Sequence, residues 1–383
     1  MAGTAFAGAD CRRVVAIGDI HGGYEAYVAI LQEAGVLDEG LKWKGDDGAC
    51  LVQLGDIVDR GARSRDILDL LMALQQQAPR QVRVVLGNHE AMNMVGDLRY
   101  TAEGEFRAFA DEETEAQRRR GFVAYQQLHE DEGLDRATAR ARFDYEFPPG
   151  WFAHREAFAP HGYYGSWLLK QEVALILIDT LFVHGGLSPA DAARGIEALN
   201  KSVRRQLRDV HRAGDYLINA GEINALASYR DALKTIAEAM GKMKAFSPAQ
   251  RNMRQWKAFH DYWESTDADF IRSDGPLWNR DLALADEAGY ASKVDAVLDK
   301  LSVSRIVVGH TTQSSSGIGT RFDNRVFLID TGAGPAYGGI ASALEIRPEG
   351  TVTAIYLDRR EALVPAMKDA DGSASATVGA GAD

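Results

Sequence analysis

Three short segments put metal-binding residue types directly after apolar runs. Gly18-Asp19-Ile20-His21-Gly22 follows residues 14–17, and Gly55-Asp56-Ile57-Val58-Asp59-Arg60-Gly61 follows residues 51–54. Gly87-Asn88-His89-Glu90 follows residues 82–86. Two later runs end the same way, one at His184 and the other at Gly309-His310. A buried parallel strand reads as an apolar run, and ligands of open α/β sheets bind beyond the carboxyl ends of the strands. The five strand ends therefore deliver Asp19, His21, Asp56, Asn88, His184 and His310 to one rim. Carboxylate, amide and imidazole donors suit Mn, Fe, Zn or Co. The spacing Asp19-x-His21, taken as extended backbone, turns both side chains to the same side. Asp56 has two oxygens with which to bridge two ions. The expectation is a hydrolase with two divalent metals.

Residues between the ligands have chemistry of their own. Asp59 and His89 make an acid pair if the carboxylate orients the imidazole. Arg60 and Arg280 present the planar guanidinium that fits phosphate oxygens in pairs. The glycine-rich run Gly332–Gly339 lacks the Gly-Lys-Ser/Thr ending of a phosphate-binding loop. It reads either as a rim loop lending Tyr337 to the site or as a structural turn. His154, His161, His211 and His260 have no strand-end context and read as ordinary histidines.

The elements that must position these residues follow from periodicity. From residue 12 to about 90 the pattern is β-α-β-α-β, with helical spacing over residues 24–34 and 64–76, implying parallel strands and right-handed crossovers. An insertion of about 95–165 is charged and aromatic, with surface helices expected over 103–120 and 134–142. Strands resume at 173–178 and 181–183, a helical region of about 190–275 follows, and further strands lie at 305–308, 326–330, 343–346 and 351–357. This gives an α/β domain over 12–360, with residues 1–11 and 366–383 as flexible tails. The 383 residues carry a formal net charge of −12, which argues against nonspecific nucleic-acid binding. No apolar run reaches the length of a membrane span. Cys11 and Cys50 precede the first two ligand-bearing strands. They read as inert buried thiols, with a disulfide open if those strands are neighbours. The compartment stays open between the cytoplasm and, if residues 1–10 are the remnant of a trimmed signal, the periplasm or exterior.

Segments 18–22, 55–61, 87–90 and 184–186 together resemble the signatures of metal-dependent phosphoprotein phosphatases of the calcineurin-like metallophosphoesterase superfamily. Gly87-Asn88-His89-Glu90-Ala91-Met92-Asn93-Met94, then Gly96-Asp97-Leu98-Arg99-Tyr100 and Pro276-Leu277-Trp278-Asn279-Arg280, are similar to its Shewanella-like bacterial branch. The resemblance implies a four-layer α/β/β/α sandwich with helical insertions over the site. It implies two divalent ions, manganese foremost, with Asp19, His21 and Asp56 on one and Asp56, Asn88, His184 and His310 on the other. Arg60 and Arg280 become phosphate clamps, and His89 with Asp59 the acid pair; Asn88 and Tyr337 also face substrate. The implied reaction is hydrolysis of a phosphomonoester by a hydroxide shared between the metals, with no covalent enzyme intermediate. Its substrates would be phosphotyrosine and/or phosphoserine/threonine in a protein or peptide, or a small phosphomonoester. A dinucleoside polyphosphate hydrolase or phosphodiesterase is the alternative on the same site, and an inactive metal-binding scaffold the non-enzyme reading.

Overall fold

All five residues of Arg13–Ile17 (β1) are buried, and alternate side chains enter different cores: Val14 and Ala16 one, Val15 and Ile17 another. A strand covered on both faces belongs inside a layered fold. The structure, a computed structural model, describes residues 11–45, 47–243, 253–313 and 317–365. β1 pairs in parallel with Ala49–Gln53 (β2), and β2 with Val82–Val84 (β3); helices Tyr24–Glu33 (α1) and Ser64–Gln77 (α2) connect them. A second sheet begins with Ala174–Leu177 (β4), Thr180–Val183 (β5) and Arg305–Val308 (β6), and ends with Gly319–Arg321 (β7) and Val326–Leu328 (β8). Its order is β4-β5-β6-β8-β7, with β5, β6 and β8 parallel. Ser342–Ile346 (β9), Val352–Tyr356 (β10) and Arg360–Val364 (β11) return antiparallel to the first sheet, whose order is β11-β10-β9-β1-β2-β3.

The alternation sets the layers. Val14, Ala16, Val52 and Leu344 of the first sheet share one core with Leu175, Phe182, Val307 and Phe327 of the second. Their neighbours of opposite parity, such as Val15, Leu51, Leu181 and Ile306, share another with Ile30, Leu68, Leu71, Val294 and Leu298 from helices. Two sheets face each other and helices cover their outer faces, which is the four-layer arrangement. Arg360–Val364 carries the first sheet past residue 360.

Helix Asn88–Val95 (α3) follows β3, and the insertion follows α3. It consists of Glu103–Arg107 (α4), Glu115–Leu128 (α5), Arg136–Glu146 (α6), Trp151–Phe158 (α7) and Tyr163–Leu168 (α8). The single helix expected over 103–120 is instead broken. A 3-10 turn at Ala110–Glu112 is followed by Thr114, whose Oγ1 accepts the Gln117 N–H while the Gln117 side chain accepts the Thr114 N–H. That reciprocal pair starts a new helix at Glu115. Phe106, Phe122, Tyr125, Phe143 and Trp151 form a small core inside the insertion, closed by Leu226. The helical region holds Pro189–Arg194 (α9), Ile196–Asn219 (α10), Tyr229–Met243 (α11) and Met253–Trp263 (α12), before Asp281–Leu284 (α13) and Glu287–Leu301 (α14).

Three expectations are corrected. β7 and β11 went unread because Gly-Thr-Arg has no apolar run and Arg-Glu-Ala-Leu-Val has only a short one behind two charges; both lie at sheet edges, where burial on two faces is not required. The two thiols are a disulfide: β1 and β2 are neighbours, and the Cα atoms of Cys11 and Cys50 are 5.6 Å apart. Cys11 thus belongs to the ordered chain and not to a tail; residues 1–10 and 366–383 lie outside the described residues. The bond closes a loop of sequence separation 39, and such bonds contribute about 2–4 kcal/mol. Replacing both residues, Cys11→Ala with Cys50→Ala, is expected to lower unfolding stability by about that amount. Denaturant titration of the oxidised protein beside the double variant checks this.

Candidate active site and metal centre

The loops that leave β1, β2, β3, β5 and β6 at their carboxyl ends meet around one carboxylate. Asp56 Oδ1 accepts the His89 backbone N–H at 3.0 Å and lies 3.3 Å from His184 Nε2. Its Oδ2 lies 3.6 Å from His21 Nε2 and 3.9 Å from His89 Nε2. Potential ligand atoms fall into two groups that share this residue, His21 with Asp56 and His89, and Asp56 with His184 and His310; all are buried. Asn88 Oδ1 stands 3.0 Å from His184 Nε2. The Asp19 carboxylate accepts the His310 N–H at 3.0 and 3.1 Å and lies 4.0 Å from His184 Nδ1.

Three of the four imidazoles are aimed by backbone carbonyls. Leu54 O accepts from His184 Nδ1 at 2.7 Å, Val58 O from His21 Nδ1 at 2.9 Å, and Trp278 O from His310 Nε2 at 3.2 Å. Since a carbonyl only accepts, those nitrogens carry protons, which leaves the opposite nitrogen of each ring as the one that could bind a metal. This is how metal-binding histidines are oriented. The charges point the same way. Asp19, Asp56 and Asp330 are all buried, and no lysine or arginine pairs with them among the described residues. Burial, Asp330 and Asp56 push the Asp19 carboxyl well above its usual range. Burial alone would lower the His184 imidazole, but Asp56 and Asp19 push it up to about 10. Crowded in this way the groups hold on to protons that a divalent cation would displace, and their donors fit one.

The backbone bends sharply to bring these groups together. His21, Asp56, Asp59, Arg60 and His310 have φ of 43°, 46°, 70°, 68° and 64°. Non-glycine residues pay roughly 1–3 kcal/mol each for sparsely populated backbone regions. Asp19-x-His21 is therefore not extended as expected: His21 enters the site from a left-handed turn. Gly87 and Gly309 permit the close approach, because a Cβ would lie 2.2 Å from Asp56 Oδ1 at the first and 2.3 Å from Asp19 Oδ1 at the second.

Several residues that sequence reasoning left without a role hold this geometry. The fully buried Glu90 carboxylate accepts four backbone N–H groups, from Asp56 at 2.9 Å, Ile57 at 2.8 Å, Val58 at 3.3 Å and Gly87 at 2.8 Å. Gln53 Nε2 donates to Gly18 O and Gly55 O, tying the first two ligand loops together. His89 Nδ1 lies 2.6 Å from Asp59 Oδ2, while Asp59 Oδ1 accepts from Asn93 Nδ2 at 3.0 Å and Thr101 Oγ1 at 2.8 Å. Burial opposes charge on His89, but Asp56 and Asp59 outweigh it and raise its proton affinity. Arg60 lies between two rings, 4.8 Å from the centroid of Tyr100 and 5.0 Å from that of Tyr337, and its N–H donates to Tyr100 O. Arg280 Nη1 reaches His310 O and Thr311 Oγ1. The Tyr337 ring also lies 5.7 Å from that of His21. Glu90 had a legible signal, an acid three residues after the helix N-cap. Tyr100 and Thr101 had none, because their partners lie some forty residues back.

Comparisons with known proteins agree with this fold. The calcineurin-like phosphoesterase family matches residues 12–314, and the chain belongs to that family. Among curated relatives, Shewanella-like protein phosphatase 2 of Arabidopsis thaliana is 34% identical over 202 residues, 50% of this chain and 51% of the relative. The chain thus spans about half the length of that relative. Shewanella-like protein phosphatase 1 of Plasmodium berghei is 25% identical over 84% of this chain and 67% of its own. Among solved structures, the cold-active protein-tyrosine phosphatase of a psychrophilic Shewanella species shares the fold, with a TM-score of 0.58 at 22% identity over 92% of this chain and 81% of that one.

The Glu90 contacts carry a stability prediction. In Glu90→Gln the amide nitrogen cannot accept, so at least one buried N–H loses its partner, at a cost of about 1–3 kcal/mol. A lower denaturation midpoint with an unchanged denaturant slope is expected.

Proposed function

We propose that the protein is a metal-dependent phosphomonoesterase acting on phosphorylated side chains of proteins, phosphotyrosine and/or phosphoserine/threonine. The observation that carries this reading is Asp56, shared by two ligand groups, with the Asp59–His89 pair directly beside it. Asp19, His21 and Asp56 would hold one ion, and Asp56, Asn88, His184 and His310 the other, with manganese the first choice and iron, zinc or cobalt fitting the same donors. Ions bound there supply Lewis acidity that generates a nucleophile from water and offsets phosphoryl charge. The chain's own residues do the rest. Arg60, fixed between Tyr100 and Tyr337, and Arg280, fixed on the His310 carbonyl, bind phosphoryl oxygens and orient the ester. His89 gives the Nε2 proton to the leaving oxygen, and Asp59 keeps the other ring proton in place and stabilises the charged imidazole. The names of the Arabidopsis and Plasmodium relatives support a phosphoprotein as substrate. The Cys11–Cys50 disulfide supports an oxidising compartment, because such bonds are rare where thiols are kept reduced.

His89→Ala tests the acid. An alkyl phosphate needs its leaving oxygen protonated and p-nitrophenyl phosphate barely does. Turnover of phosphoserine peptide is therefore expected to fall by roughly 10²–10⁴, and that of p-nitrophenyl phosphate far less. Metal content, read by elemental analysis, should stay at the wild-type ratio. Equal losses on both substrates, or a lost ion, would instead make His89 a ligand, as its 3.9 Å approach to Asp56 permits. Chelation should abolish turnover, with recovery on adding manganese; activity that survives complete metal removal would rule out this reading.

A further inference from the structure

A cavity of about 440 Å3 lies away from the metal centre, where the insertion meets the helical region. Its walls come from the carboxyl end of α3, from α5 and α7, and from α10 with the chain around Leu226. The volume falls within the range of small-molecule sites, and the walls mix apolar side chains with polar and charged ones. Met94, Trp151, Ile218, Leu226 and Tyr262 supply the apolar surface.

The polar groups define the charge that fits. Two histidines in the wall already face carboxylates, His161 with Glu156 at 3.0 Å and His211 with Asp215 at 3.2 Å. Arg155 does not. Its Nη1 donates only to Ala227 O, at 3.3 Å, its guanidinium lies 5.4 Å from the Trp151 ring, and it makes no ion pair among the described residues. Gly96, in a left-handed turn, lets the guanidinium lie against the backbone, since a Cβ there would be 3.2 Å from it. A half-buried arginine beside an indole, over an apolar floor, fits a flat apolar body with one anionic group.

The cavity also touches the acid pair through one residue. Asn93, almost fully buried, is part of the wall. Its Nδ2 donates to Asp59 Oδ1 and His89 O, and its Oδ1 has no partner among the described residues. We propose that this cavity is a second ligand site, for a small aromatic or otherwise flat monoanion held by Arg155, and that its occupancy alters turnover through Asn93. The effect on turnover rests on the reading of Asp59 and His89 given above; the binding does not.

The test titrates the metal-loaded protein with 8-anilinonaphthalene-1-sulfonate and follows its fluorescence. One saturable site is expected, unaffected by orthovanadate at concentrations that stop turnover. Arg155→Gln should weaken it about tenfold by removing the counter-charge. Ala225→Trp, at an exposed position of the rim, should do the same by blocking entry, and it keeps the test valid if the Arg155 variant fails to fold. At saturation, turnover of p-nitrophenyl phosphate should change about fivefold in the wild type, and not in Ala225→Trp. The proposal is overturned by absence of saturable binding, by displacement with orthovanadate, by insensitivity to the substitutions, or by unchanged turnover in the saturated enzyme. A protein with no turnover at all contradicts the phosphatase reading, while the binding arm still decides whether the cavity is a site.

Discussion

Nearly every feature of this site depends on the hydrogen bonding of Asp56. Its side chain lies against His21, His89 and His184. Its carbonyl accepts the N–H groups of Ile20 and His21, and its own N–H donates to Glu90. One residue therefore connects the loops after β1, β2, β3 and β5 through both backbone and side chain. It does so at a positive φ, a conformation uncommon outside glycine and one that aspartate adopts more readily than most side chains. The carboxylate of Glu90 is what makes this conformation tolerable, since it gathers the amides on either side of the bend. A buried acid with four donors is a rigid object, and rigidity here translates into fixed distances between imidazoles.

The sequence made the candidate ligands legible because two-sided burial writes strands as apolar runs, and the residue types at their ends were those that suit a metal. The same logic gave the parallel order of β1, β2 and β3. What it missed is what depends on long-range contact or on local backbone shape. Nothing in Asp19-x-His21 announces φ of 43° at His21. Nothing in Cys11 or Cys50 alone states that their strands are adjacent in register, with Arg13 opposite Ala49. The break between α4 and α5 was readable in hindsight from Thr114 and Gln117, a capping pair hidden in a run of charges. Tyr100 read as one more aromatic of the insertion, and its position against Arg60 is a tertiary fact.

Arginine at the rim illustrates a balance between order and access. In its proposed role Arg60 has to reach a phosphate and so cannot be locked in an ion pair, yet a free side chain would lose rotamer entropy on each binding event. Lying between two tyrosine faces restrains it without neutralising it. Arg280 meets the same requirement differently, through hydrogen bonds to a carbonyl and a hydroxyl, which leave its charge intact.

The start of the insertion has a consequence for how such enzymes can be rebuilt. Thr101 bonds to Asp59, Glu105 accepts the Asp59 N–H, and Tyr100 both holds the Arg60 N–H and stacks on its guanidinium. The segment is thus joined by side chains to the residues proposed to hold the proton and bind the phosphate. A chimera that exchanged everything from the end of α3 to β4 as a module would import another protein's acid strength along with its cover. One that kept residues 97–105 and exchanged only the helices beyond would change the cover alone. On the proposed reading, the boundary between what tunes chemistry and what merely covers the site lies inside the insertion, a short way past its first turn.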